Sequence, residues 1–159
     1  MGHVTDLAAE LVARARAAGV MIATAESCTG GMIAAAITDI AGSSAMFGYG
    51  FVSYADAAKT DMLAVRPALI ATDGAVSEAV ARAMADGARR RSGADIAVAV
   101  TGIAGPDGGS ATKPVGTVWF GLATRTDLRA ELLVFAGDRA SVRAQTVAHA
   151  LILLGAAIG

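Results

Sequence analysis

The chain has 159 residues, of which 55% are hydrophobic, 17% charged and 4% aromatic, and its formal net charge is −1. Such length and apolar content imply one well-buried globular domain over 1–159 and exclude a disordered chain. A nearly neutral charge excludes a bulk electrostatic pull toward nucleic acid or an anionic membrane, so neither is expected as a partner.

Residues 5–18 carry Leu7, Leu11, Val12 and Ala15 near a helical period, between Thr5 as N-cap and Gly19 as stop. Asp6, Glu10, Arg14 and Arg16 in this stretch are incompatible with a secretory signal. Residues 20–25 read as a buried strand and 31–40 as a helix of small residues, joined by "ESCTGG". Residues 41–50 are a loop rich in glycine and serine, 51–54 a short strand, and 55–64 a helix that carries Lys59. A clear helix follows over 76–91, with Ser77 as N-cap and Val80, Ala83, Met84 and Ala88 at helical spacing. The basic run 89–91 ends that helix, where cations suit the dipole and the last carbonyls. Residues 94–101 form a strong strand and 102–116 a long loop. Strands at 117–124 and 128–137 pair as a hairpin through a turn at Thr126 and Asp127. The last helix starts near Asp138, and its apolar stretch 150–159 is too short to cross a bilayer. Cys28 is the only cysteine, so no internal disulfide forms, which fits a cytoplasmic setting. The alanine content and the apolar last helix leave surface for a homo-oligomer.

Strands alternating with helices, then broken by one hairpin, predict a three-layer α/β/α domain with a mixed sheet. Sites in such sheets gather outside the carboxyl ends of the strands, so the segments 26–31, 41–50 and 102–116 are expected to meet there. Four groups of residues carry candidate chemistry. The run Glu26, Ser27, Cys28, Thr29, Gly30, Gly31 puts small residues and N–H groups at a helix start, suited to an anion or oxyanion. The run Gly42, Ser43, Ser44, followed by Tyr54 and Lys59, offers a serine with a lysine base. Lysine is scarce, only Lys59 and Lys113 occurring among 13 basic residues. Of the two histidines, His3 lies near the start and His149 within an apolar helix, so a lysine rather than a histidine is the candidate base. The run 101–109 holds Thr101 and four glycines, Gly102 and Gly105 among them, and can nest a phosphate although it matches neither common nucleotide fingerprint. Asp138 and Arg139 open the last helix, where Arg139 can grip a phosphate or carboxylate. Cys28 as a thiol nucleophile lacks a histidine partner, and no cluster has metal-ligand spacing, so no metal is expected.

Taken together, "TAESCTGG", "ITDIAGSSAMFGYGFVSYADAAK", "GAVSE", "TGIAGPDGGSATKPVGTVWFGLA" and "GDR" resemble the CinA C-terminal domain family, and within it the PncC-type nicotinamide-nucleotide amidohydrolases. The five motifs come in order and span about residues 5–155. The resemblance implies a three-layer α/β/α sandwich with a mixed, mostly parallel five-stranded sheet. It implies hydrolysis of nicotinamide mononucleotide to nicotinate mononucleotide and ammonia by a Ser/Lys pair, with no cofactor. Carried onto this chain, the nucleophile is Ser44, with Ser27 as the alternative, Lys59 is the base and Tyr54 assists proton transfer. Ser27, Thr29, Thr101 and Arg139 line the pocket, the glycine loop with Gly102 and Gly105 suits the ribose phosphate, and Gly30 contributes N–H groups. Glu26 is the carboxylate expected beside the cationic pyridinium ring. Two other readings are a non-catalytic nucleotide-binding or partner module of the same fold, and an amidohydrolase for another nucleotide-like amide. The extra N-terminal domain of many family members, which resembles a molybdopterin-binding fold, has no counterpart in these motifs.

Overall fold

The computed structural model describes residues 2–159. Its elements run α1 (Gly2–Ala18), β1 (Ile22–Glu26), α2 (Met32–Thr38), a 3-10 turn (Ser43–Ala45), β2 (Phe47–Val52), α3 (Asp56–Leu63), α4 (Pro67–Asp73), α5 (Glu78–Ser92), β3 (Ile96–Gly102), β4 (Thr117–Ala123), β5 (Leu128–Val134) and α6 (Arg139–Ile158). The sheet has the order β2-β1-β3-β4-β5. β1 pairs in parallel with β2 and β3, while β3–β4 and β4–β5 are antiparallel. Four strands therefore run one way and β4 opposes them. Two ladders are parallel and two antiparallel, so the sheet is mixed, with four of its five strands running the same way, as expected.

Side chains alternate across a strand, and here the alternation sorts by size. Ile22, Ile96, Val98, Val100, Val118 and Phe120 face the layer of α1, α2 and α6. Ala23, Ala25, Ala97, Ala99 and Ala123 face the layer of α3, α4 and α5. The alanine face lets α5 sit close: a Cβ on Gly121 of β4 would lie 2.1 Å from the Ala81 carbonyl oxygen. α6 is 20 residues long and apolar enough to cross a membrane by length and composition. Here its buried residues, Val142, Val147, Ala150, Leu151 and Leu154, belong to the core beside α1 and β3.

Most boundaries fall within a few residues of the sequence reading, with two departures. β2 begins at Phe47, inside the stretch read as loop, and α4 was not anticipated. Because 41–46 leads into β2, it lies at the amino end of the parallel strands, where Ile22 N donates to Met46 O. The loops that meet at the carboxyl ends are 27–31, 53–55 and 103–116, joined by the start of α6. The segment 41–46 is not among them.

Candidate active site

β1 ends at Glu26, and the chain turns through Ser27–Gly31 before α2. Gly31, the N-cap residue, has φ 107° and no side chain with which to cap. Glu26 performs that task from seven residues upstream of Ile33. Its carboxylate is buried and accepts from Thr29 Oγ1 (2.6 Å), Ile33 N (2.8 Å) and Ala34 N (3.0 Å). Both oxygens are therefore spent on the helix start, where an anion is favoured by the dipole and the unpaired N–H groups. This corrects the expectation for Glu26 and Thr29: they build the cap, and neither borders the cleft described below. Gly30 does not border it either; it takes φ 59° and packs beside Arg143. Arg143, on α6, donates from Nε to Cys28 O (3.0 Å) and from Nη2 to Thr29 O (3.2 Å). It fixes the turn from a neighbouring helix of the same layer. Arg143 was missed in the sequence; its one signal is a spacing of four from Arg139, one turn along the same helix.

Lys59 is among the largest fully buried side chains of the protein, at 1% exposure. Its Nζ donates to Ser27 Oγ (3.0 Å), Tyr54 O (3.0 Å) and Ser53 O (3.1 Å). Asp56 Oδ1 stands 3.9 Å away on the exposed side. Desolvation by burial holds the Lys59 amine below the ordinary lysine value, and the Asp56 charge pulls part of the way back. Two of the three oxygen partners are carbonyls, which only accept, and the third is a hydroxyl, which also donates. The ammonium form donates to all three; the neutral amine keeps both carbonyls with its two hydrogens and turns its lone pair to the Ser27 hydroxyl. The arrangement suits a general base acting on Ser27.

The structure does not bring Ser44 to this group. Ser44 is exposed in the 3-10 turn before β2, at the opposite end of the parallel strands from Ser27. The pairing of Lys59 with Ser44 is therefore replaced by its pairing with Ser27. Tyr54 borders the same group. Its backbone carbonyl, and not its hydroxyl, holds Lys59, while its exposed ring reaches Arg139, whose Nη2 donates to Tyr54 Oη (3.4 Å).

A cleft of about 200 Å³ opens over Ser27, Tyr54, Asp56, Lys59, Thr101 and Arg139. Thr101 is buried and donates to Ala75 O (2.8 Å), joining β3 to the segment before α5. Gly102 borders the cleft, whereas Gly105 stands behind it, its carbonyl accepting from Arg139 Nη1 (3.0 Å). Asp138 caps α6 by accepting from Ser141 N (2.9 Å), so Arg139 starts the helix aimed across the cleft mouth. Cys28 also borders the cleft, but burial pushes its thiol up to about 11, which keeps it protonated and unreactive at neutral pH.

A family model described as the CinA C-terminal domain matches residues 4–158. The nicotinamide-nucleotide amidohydrolase PncC of Enterobacter agglomerans is 52% identical over 147 residues, covering 92% of this chain and 90% of that protein. The protein of the same name from Escherichia coli K12 is 55% identical over 137 residues, covering 86% and 83%. A putative competence-damage inducible protein of Symbiobacterium thermophilum is 54% identical over 145 residues, and there the chain spans 34% of the relative's length. Among solved structures, a competence/damage inducible protein from Agrobacterium tumefaciens superposes with a TM-score of 0.96 at 46% identity, covering 99% of this chain and 96% of that one. The sheet order, the Ser27 turn and a family match over nearly all described residues lead to one assignment: this chain belongs to the CinA C-terminal domain family.

Proposed function

We propose that the protein is a serine amidohydrolase that converts nicotinamide mononucleotide to nicotinate mononucleotide and ammonia in the cytoplasm. The observation that carries this reading is the buried Lys59 amine 3.0 Å from Ser27 Oγ, at the strand carboxyl ends. The names of the two amidohydrolase relatives, of which this chain covers 90% and 83%, supply the substrate class. Neutral Lys59 takes the Ser27 proton, and the alkoxide attacks the carboxamide carbon. The backbone N–H of Cys28, next in the chain, is the nearest candidate to stabilise the oxyanion. Lys59 then returns the proton to the leaving nitrogen as the C–N bond breaks, releasing ammonia and leaving an acyl ester on Ser27. Water, deprotonated by the same amine, cleaves the ester and frees the carboxylate product. Arg139, at the start of α6 and beside the Tyr54 hydroxyl, is suited to the nucleotide phosphate.

The test is ammonia release from nicotinamide mononucleotide, with NAD and free nicotinamide as comparisons. Ser27→Ala and Lys59→Ala are expected to lower kcat by about 1,000-fold or more, as for nucleophile and base in other serine hydrolases. Ser44→Ala is expected to stay within about twofold of the parent, the behaviour of a surface substitution. Loss of turnover in Ser44→Ala with retention in Ser27→Ala would overturn the assignment.

A further inference from the structure

We propose that Asp56 is the specificity-determining residue that selects a cationic ring over a neutral one in the proposed substrate. Three charged side chains border the cleft among the described residues: Lys59 at its floor, Arg139 at its mouth, and Asp56. Asp56 is the single carboxylate of the three. Glu26, the other acid near the turn, is closed off by its three donors. Asp56 opens α3 and places Oδ1 3.9 Å from the Lys59 amine, with 64% of its side chain exposed. One side of the carboxylate thus faces the reacting pair, while the rest is open to solvent, on the border of the cleft and of a second hollow between α3 and α4.

A carboxylate at this place is unfavourable for the chemistry taken alone. A negative charge stabilises the ammonium form of Lys59, which cannot accept the Ser27 proton. The geometry has a purpose once a positive ring enters. A pyridinium whose carboxamide carbon reaches Ser27 Oγ brings its charge beside Asp56, because Lys59 lies between the two residues and within hydrogen-bond or ion-pair range of both. The ring then meets the carboxylate in a cleft partly shielded from water, where the attraction exceeds that of a fully solvated pair. It also displaces Asp56 as the partner that favours the ammonium. Arg139 cannot make this distinction, since the phosphate it would hold is the same whether the ring is charged or neutral. A helix-opening acid with no role toward the ligand would instead add only dipole stabilisation to α3.

This inference rests on the amidohydrolase reading, and the experiment separates the two. Binding is measured by calorimetry in the Ser27→Ala background, so that ligands stay intact. The probes are oxidised nicotinamide mononucleotide, with a cationic ring, and its dihydro form, which has the same phosphate and carboxamide on a neutral ring. The oxidised form is expected to bind more tightly, with a preference that shrinks as salt is raised from 0.05 to 0.5 M, as screening requires. Asp56→Asn is expected to weaken the oxidised form by about five- to tenfold, the scale of a partly exposed charge pair, and the dihydro form by less than about twofold. Asp56→Glu keeps the preference. Circular dichroism and melting establish that each variant is folded. Equal weakening of both probes, no change in either, or no initial preference overturns the role of Asp56. Ammonia release by the unmodified protein is assayed in parallel: its absence overturns the amidohydrolase reading, whereas its presence with an unaltered preference in Asp56→Asn overturns this proposal alone.

Discussion

At the scale of single residues, the site turns on the protonation of Lys59. Burial favours its neutral form and Asp56 opposes that, so the amine sits below the usual lysine value of ~10.4. The reactive form is the deprotonated one. Activity should therefore rise with pH and level off above the Lys59 midpoint, and kcat/KM should show an acid limb centred below the ordinary lysine range. Asp56→Asn removes the opposing charge, which moves that limb to lower pH. A limb that moves upward, or that stands at the value of free lysine, would contradict Lys59 as the base. The rarity of lysine and its place behind Tyr54 made Lys59 visible in the sequence. Its partner was not visible, because "GSS" and "ESCTGG" are equally rich in hydroxyls. What separates them is direction: Ser44 precedes a parallel strand and Ser27 follows one, so they fall at opposite ends of the sheet.

At the scale of elements, the turn from β1 to α2 is a helix cap made by a strand residue. Glu26→Gln keeps the volume but sets an amide N–H₂ against donors at Ile33 N, Ala34 N or Thr29 Oγ1. One buried donor then loses its acceptor, at a cost of about 2–3 kcal/mol. The melting temperature is expected to fall by roughly 4–12 °C for a domain of this size, measured by differential scanning calorimetry. A purely substrate-binding Glu26 would leave it unchanged. The cap was hidden in the sequence because the acceptor lies five residues before the N-cap, outside the usual local pattern. β2 was partly hidden for another reason. Gly48 and Gly50 are residues that strands disfavour, yet a Cβ on Gly50 would stand 3.2 Å from Ala34 Cβ of α2, so glycine there lets the helix approach. α4 has seven residues, none buried, and so leaves no apolar period to read.

At the scale of the whole molecule, the two helical layers were legible because strand alternation separates large apolar residues from alanines, and because α5 and α6 carry their own caps, Ser77 and Asp138, whereas Thr5, read as a cap, lies inside α1. Less legible was how tightly the alanine side is closed, and this closure joins stability to the site. α3 carries Lys59, and its last residue, Leu63, rests one helical turn further on, against α5. At that contact a Cβ on Gly87 would lie 2.0 Å from Leu63 O and 2.8 Å from Leu63 C, both backbone atoms that cannot rotate away. Gly87→Ala must therefore push α3 off α5, although alanine is the better helix former by about 1 kcal/mol. Overpacking of this kind costs about 3 kcal/mol, which corresponds to a drop of roughly 6–12 °C in melting temperature. Because Leu63 and Lys59 share one short helix, the same shift carries the amine away from Ser27, and kcat should fall at temperatures where the variant is still folded. Gly155→Ala in α6 is the matched control: its Cβ would approach only the Arg14 guanidinium, at 3.3 Å, on a flexible side chain. That variant should melt at or slightly above the parent temperature with unchanged kcat. If Gly87→Ala melts lower but keeps full turnover, the seat of α3 on α5 supports the fold without setting the position of the base.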